Sequence, residues 1–448
     1  MLRSVALTLA AVLIARVHEP RMTTAAPGDQ DIHQLMTSAR NAPAPLCALA
    51  VAAVGNYGWG RWSDAPVTPL APVRQPGERR GRKGRDSVST ADVTFLFENL
   101  QIDDACVREL AVRLLANAEE SQVATGLTQR LASADSSIRE LAAFGLGLVE
   151  PKSAVDPLMS KLKDPSAGVR ANSAWALGRI GDGRAVTPVT HALTDNYAVV
   201  RQAAAGALGQ MDSASAVPAL LKILREDADP SVRLTVAWAL GQLSSEQAVS
   251  ALSQSVQGDK DEQVREMSAW ALGEIGDKSA ATALAAAVSS DASDKVRETS
   301  AWALGELEAK SAASVLGQAV ASDKSMRVRA TAAWALGQFD LTTAPKGLID
   351  GLSSPDDDVR VACAWALSEI GDASALPALR TALAKEQDPQ AQKAELRALI
   401  HGGEKTEQLT QLLQSKDPAI RKAAIQGIAG NHGVDVWPWP QPRPRPFP

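Results

Sequence analysis

The sequence is poor in aromatic side chains, at 4% of its 448 residues, and it has only three cysteines and five histidines. A β-sandwich would draw on many aromatic and β-branched positions, so the shortage favours close-packed helices. The apolar residues that are present, mostly Ala, Leu and Val, suit that reading. Cys47, Cys106 and Cys363 are odd in number, far apart and form no CxxC pair. No disulfide framework or zinc site is expected, and each reads as a free thiol. His18, His33, His191, His401 and His432 make no HExxH, and none has a second histidine or a cysteine three or four residues away. There is no GxSxG, no phosphate-cradling glycine loop, and no acidic pair that stands out as general acid and base. No catalytic residue, metal or cofactor is therefore expected.

Positive charge is scarce where a nucleic-acid groove would need it. The net charge is −5, and residues 91–430 carry 33 Lys/Arg against 44 Asp/Glu. Binding nucleic acid requires a basic face that displaces counterions, so nucleic acid is disfavoured as a partner. Long apolar runs are missing too. Val5–Ala15 and Leu46–Val54 are both too short to cross a bilayer, so no stable membrane span is expected. The first run follows Arg3 and precedes Thr24-Ala25-Ala26, a candidate cleavage site. Residues 1–26 thus read as a signal-like segment, which favours a periplasmic or secreted protein. The charged stretch Arg16, His18, Glu19 and Arg21 leaves an amphipathic first helix in a cytoplasmic protein as the alternative. Residues 27–90, which include the basic run Arg74–Arg85, read as a weakly ordered Pro/Arg-rich linker. Residues 431–448, ending "WPWPQPRPRPFP", read as an extended Pro/Trp-rich tail, because alternate prolines forbid helix.

What is present is a repeat. Arginine follows Val or Ile at positions 108, 139, 170, 201, 233, 265, 297, 329, 360 and 421, in steps of 31 or 32 with one double step. That makes about eleven units across residues 91–430. Each unit predicts two helices. The first is typified by Ala216–Leu224, "AVPALLKIL", with Pro157, Pro188, Pro218, Pro345 and Pro377 early in it, where a missing N–H costs least. The second is typified by "VREMSAWALGEI", Val264–Ile275. Gly181-Asp182, Gly276-Asp277 and Gly371-Asp372 mark its end, the glycine supplying a left-handed residue and the aspartate starting the next element. Such a pair cannot bury its apolar face alone, and stacking completes a shared core.

The pattern "VRxxxAWALGxIGD…AVPAL" resembles the short HEAT-like repeats first associated with phycobilin lyases, over about three quarters of the chain. The resemblance implies an all-α fold, a right-handed α-solenoid of about eleven two-helix HEAT-like repeats whose second helices line the concave face. The 388–402 unit and the two ends depart from the pattern, as capping or degenerate repeats do. Some proteins resembling deoxyhypusine hydroxylase hold two irons through repeated His-Glu pairs; here only His18-Glu19 matches, outside the repeats.

With Val264 at 0° and 100° per residue, Ser268, Ala271, Leu272 and Ile275 form the core face, while Trp270 falls at 240° among Glu266, Met267 and Glu274. The tryptophan column (Trp175, Trp238, Trp270, Trp302, Trp334 and Trp365) is therefore expected on a polar groove wall. One turn later the column is polar: Arg179, Gln242, Glu274, Glu306, Gln338 and Glu369. These twelve residues are the candidate concave binding face. Two readings of the tryptophans stand: rings laid across the gap to a neighbouring second helix, or an aromatic strip for a partner. In-helix glycines at 147, 178, 209, 241, 273, 305 and 337 each cost ~1 kcal/mol relative to Ala, which points to close approach of the next helix. Asp164, Asp195, Asp227, Asp259, Asp291 and Asp323 each stand six residues before Arg170, Arg201, Arg233, Arg265, Arg297 and Arg329, which predicts an Asp–Arg ladder between units. The expected function is a non-catalytic scaffold for a protein or peptide. The alternatives are a chromophore lyase-like accessory enzyme and a relative of the repeat region of membrane metallopeptidase sensors.

Overall fold

A computed structural model describes residues 29–54, 88–404, 406–415 and 418–428. The signal-like segment, the Arg74–Arg85 run and the Pro-rich tail lie outside the described residues. Among those residues there are helices and no strand. The chain divides into two compact units, Met1–Ala219 and Leu220–Pro448.

In the first unit, α1 (Asp29–Ala39) and α2 (Ala44–Val54) precede four helix pairs. These are α3 and α4 (Thr90–Asn99, Ala105–Leu115), α5 and α6 (Glu120–Arg130, Ser136–Val149), α7 and α8 (Val155–Lys161, Ala167–Ile180), and α9 and α10 (Val186–Ala192, Ala198–Gln210). Helix α11 (Val217–Glu226) falls at the division. The second unit holds α12 (Pro230–Gln242), then α13 and α14 (Val249–Gly258, Glu262–Ile275), and α15 and α16 (Ala281–Ser290, Asp294–Glu306). It continues through α17 and α18 (Ala313–Ser322, Met326–Gly337), and α19 and α20 (Lys346–Gly351, Asp357–Ile370). It closes with α21 and α22 (Leu376–Leu383, Pro389–His401), and α23 and α24 (Thr406–Gln411, Pro418–Ile428).

Local chemistry sets these boundaries. Asp135, Asp229, Asp261, Asp356 and Asp388 cap second helices by accepting amide hydrogen bonds. Gly181, Gly276 and Gly371 end second helices at φ 70°, 77° and 66°, where a Cβ is strained. Asp182, Asp277 and Asp372 then cap the single 3₁₀ turn that leads into the next first helix. Where the glycine is missing, Glu150, Asp212, Ser244 and Glu308 adopt the same left-handed conformation and carry its strain.

Within each unit the helices form two layers. Second helices pack on second helices, α6 on α8 and α8 on α10 in the first unit, and α12 through α22 in series in the second. First helices α13, α15, α17 and α19 form the parallel layer. The core between the layers is small-residue and leucine-rich, with Leu272, Leu304, Leu336 and Val264, Val296, Val328 fully enclosed.

Two expectations need correction. Residues 27–90 are not only linker, because α1 and α2 lie inside that span and bury Ile32, Met36, Ala39, Ala50 and Val51. Nor are all three cysteines free thiols. Cys47 on α2 and Cys106 on α4 form a disulfide across a separation of 59 residues, with Cα atoms 5.7 Å apart. Cys47 lies outside the repeat, so the repeat period carries no information about which helix it meets. Cys363 alone is a free thiol, buried, and burial pushes its pKa up to about 12.

Candidate functional site

The second-helix layer is where the sequence-derived site residues fall, and it is assembled by two repeated devices. The first joins the tryptophan and glycine columns. A Cβ built on Gly147 would lie 2.3 Å from Cζ3 of Trp175, and one on Gly337 would lie 2.3 Å from Cζ3 of Trp365. The corresponding distances are 2.7 Å for Gly273 to Trp302 and 2.5 Å for Gly305 to Trp334. Each of these four rings therefore fills the slot left by the missing side chain of the repeat before. Two departures follow the same logic. Gly206 replaces tryptophan in α10, and there a Cβ on Gly178 would meet the α10 backbone directly, 2.5 Å from the Ala207 Cα. Ser368 takes the slot position in α20, and Arg397 stands in the ring position of α22; Ser368 Oγ lies 3.2 Å from Nδ1 of His401 instead.

Of the two readings of the tryptophans, this geometry is that of rings laid across the gap to a neighbouring second helix, and it takes the column off the polar groove wall. Trp175, Trp238, Trp302, Trp334 and Trp365 are 3–6% exposed, and only Trp270 is half-buried. The column one turn earlier, Asn172, Thr235, Met267, Thr299 and Thr331, is buried as well. The physical reason lies in stacking. A second helix here has a first helix on one side and a second helix on each flank, so burial covers far more than the single apolar arc that a helical wheel assigns. Nε1 of Trp175 and of Trp302 is enclosed without a hydrogen-bond partner, which fits rings held by packing.

The second device is ionic. Nε and Nη2 of an arginine at the start of one second helix donate to both oxygens of an acidic residue at the end of the next repeat's first helix. The pairs are Arg139–Asp164, Arg170–Asp195, Arg233–Asp259, Arg265–Asp291, Arg297–Asp323 and Arg360–Glu386. Nη1 of the same arginine donates to the main-chain carbonyl six residues back, as from Arg265 to Asp259 at 2.9 Å and from Arg201 to Asp195 at 2.9 Å. The carboxylate also accepts the amide two residues on, as Asp291 does from Ser293. Burial alone would raise the pKa of Asp259 or Asp291, but these hydrogen bonds and the guanidinium charge outweigh it and hold the carboxyl below its ordinary value. Arg329 departs from the pattern. Ser354 stands in the acidic column, and Nε of Arg329 donates to the Val320 carbonyl at 2.7 Å.

What remains at the surface in the column one turn after the rings is polar. In the second unit Glu274, Glu306, Gln338 and Glu369 are exposed and Gln242 is half-buried. Glu369 pairs with Arg397 at 2.8 Å. In the first unit Arg179 pairs with Glu150 and lies over the Trp175 ring. A feature the periodicity reading passed over lies beside these. Glu266 and Glu298 share a column on α14 and α16, and burial raises the pKa of each despite the nearby Lys295 and Arg327 charges. Glu395 on α22 is fully enclosed, and both its carboxylate oxygens lack a partner. Burial, with Glu386 close by, pushes its pKa up to about 8 against the opposing pull of Arg360. The signal for it was in the sequence, since the same column otherwise holds Ser268, Ser300 and Cys363. Among the described residues, no group of three or more His, Cys, Asp or Glu is placed to hold a metal ion.

Helix pairs stacked in two layers and keyed by repeat-to-repeat slots and rungs define an α-solenoid. The chain belongs to the HEAT-repeat family: HEAT repeats match residues 123–209, 217–305, 282–360 and 313–400, and the PBS lyase HEAT-like repeat matches residues 200–226. Among solved structures it is similar to Kap95p in a complex where Kap95p binding induces the switch loops of RanGDP to adopt the GTP-bound conformation. That likeness has TM-score 0.52 and 14% identity, covering 76% of this chain and 55% of that one. It is also similar to a mutant form of Kap121p, at TM-score 0.50 and 17% identity, covering 76% of this chain and 45% of that one. This chain thus spans about half the length of these two, and at such identity the likeness is one of fold. No curated protein matches the chain.

Proposed function

We propose that the protein is a non-catalytic scaffold that holds another protein or a peptide against the exposed side of its second-helix layer. One observation carries this reading. Ring, slot, rung and cap are spent on stacking, while Glu274, Glu306, Gln338 and Glu369 form an exposed polar row outside those devices, acidic at three of its four positions. Kap95p, of similar fold, engages a protein, RanGDP, which is consistent with a protein partner here. The test is capture of partners by proximity labelling, comparing the native chain with the Glu274→Lys, Glu306→Lys variant. The variant should keep the native melting temperature and lose its partner, because reversing charges at a binding face removes complementarity while exposed charges contribute little to stability. A partner set unchanged by the reversal would remove this face from consideration.

Export is part of the same proposal. A disulfide between Cys47 and Cys106 persists in an oxidising compartment and not in a reducing one. Among the described residues no helix is long and apolar enough to cross a membrane. Cell fractionation with thiol labelling tests the placement: protein recovered from the cytoplasm with three reactive thiols after unfolding would contradict it.

A further inference from the structure

The hairpin α1–α2 stands outside the repeat, yet it packs on the first repeat pair. Both helices touch α4. The non-covalent hold contains neither a ring-in-slot contact nor an arginine–aspartate rung of the kind that keys α6 to the repeat after it. On α1 it includes Ile32, Met36 and Ala39, with Nε2 of His33 3.4 Å from Asp92 and the His33 ring stacked 3.7 Å from Phe95. At the turn the Asn41 amide donates to Oδ2 of Asp104 at 2.8 Å. On α2, Ala50 and Val51 are buried. The covalent contact is Cys47–Cys106, and Cys106 lies on the first turn of α4, two residues after the Asp104 that caps it.

From this arrangement we infer that residues 29–54 form a removable cap on the N-terminal end of the repeat stack, latched by the Cys47–Cys106 disulfide. Solenoids need an end cover because the terminal repeat otherwise presents the apolar face that its neighbour would bury. Here the cover is tied at two points to α4: Asn41 to the Asp104 cap, and Cys47 to the helix itself. Opening the latch requires a dithiol. One of its thiolates attacks the disulfide and its second thiol resolves the mixed disulfide. Two electrons and two protons then pass to Cys47 and Cys106 as the dithiol becomes a cyclic disulfide. With the bond open, the small apolar contact and two polar pins no longer hold the hairpin against fluctuation, and the surface of α4 around Cys106 becomes reachable. The repeats from α6 onward, held by slots and rungs such as Trp175 against Gly147 and Arg139–Asp164, keep their structure.

Hydrogen exchange on the full chain, read by mass spectrometry with and without dithiothreitol, tests this. Peptides from 29–54 and from the start of α4 should exchange at least about tenfold faster once reduced, while peptides from α14 to α18 stay unchanged. Cys47→Ser should reproduce the reduced pattern without reductant. Equal protection of 29–54 in the oxidised, reduced and Cys47→Ser proteins would overturn the latch. So would three titratable thiols in protein purified under oxidising conditions, where the latch leaves one, Cys363. Loss of protection throughout α14 to α18 on reduction would likewise overturn it, because the bond would then support the whole fold and not a cap.

Discussion

Gly305→Ala should destabilise the protein, although alanine is the better helix former. In an open helix the exchange would gain about 1 kcal/mol. Here the new Cβ would sit 2.5 Å from Cζ3 of Trp334 and 3.1 Å from Cα and Cβ of Ala335. The ring is walled in, and the Ala335 contact includes backbone, so neither neighbour yields without moving α18 against α16. Overpacking of that kind costs about 1–3 kcal/mol, so the net effect should be a loss of up to about 2 kcal/mol in place of the gain. Trp334→Ala alone should cost about 3–5 kcal/mol by emptying the slot. In that background the added methyl group no longer meets the ring, and Gly305→Ala should turn neutral or stabilising. The double-mutant cycle should therefore show a coupling of about 2 kcal/mol between two residues 29 positions apart. Urea unfolding followed by local hydrogen exchange suits the measurement, since repeat arrays can open in parts. A Gly305→Ala variant more stable than the native protein by the full ~1 kcal/mol of an open helix, or a coupling under about 0.5 kcal/mol, would refute the slot.

Three further outcomes follow from the ladder and from α22. Arg265→Met should cost about 3 kcal/mol at neutral pH, because the rung's side chains are 14% exposed or less and Asp291 would be left without its bidentate partner. The Asp291 pKa is lowered in the fold, so the unfolded chain takes up the proton first as pH falls. The rung's contribution is thus present above the ordinary Asp value and fades below it, and melting curves of the two proteins should converge below about pH 4. Glu395→Gln should raise stability. A carboxyl pKa raised from 4.5 to about 8 means the folded state keeps its proton while the unfolded chain ionises. The penalty is absent at pH 4, grows as pH rises, and reaches about 3 kcal/mol at pH 7. Urea midpoints of both proteins across pH 4–8 check it, and a pH-independent difference would contradict the buried neutral acid. Ser354→Asp should give Arg329 the carboxylate its column lacks and raise the melting temperature by the equivalent of about 1 kcal/mol; an unchanged or lower melting temperature would count against the ladder as a transferable device.

The solenoid was legible because its period is: arginines every 31 or 32 residues, prolines early in first helices and Gly-Asp after second helices all point to one architecture. The alignment of Asp and Arg columns was visible too. The direction of the tryptophans was not. An angular count on one helix assumes one buried arc, whereas α16 is enclosed by α15, α14 and α18 together. Yet the clue was present, since the column that lacks side chains and the column with the largest ones recur with the same period. The same pairing fails at both departures, Gly206 and Ser368/Arg397. The disulfide was out of reach because Cys47 belongs to no repeat, and odd cysteine counts argue equally against any pairing. The choice of partner stays outside both sequence and fold, because the stacking residues are common to the architecture and only a few exposed positions are individual.

The claim on which the rest stands is that the repeated tryptophans close seams and do not form an open aromatic strip. Exchange of their indole N–H protons, followed by NMR with ¹⁵N-labelled tryptophan, tests it most directly. The indole protons of Trp175 and Trp302, whose Nε1 atoms are fully enclosed, should exchange as slowly as core amides. Trp270, the half-buried member, should be the fastest of the six. Exchange of all six at the rate of free indole would contradict the seam and return the column to the open face.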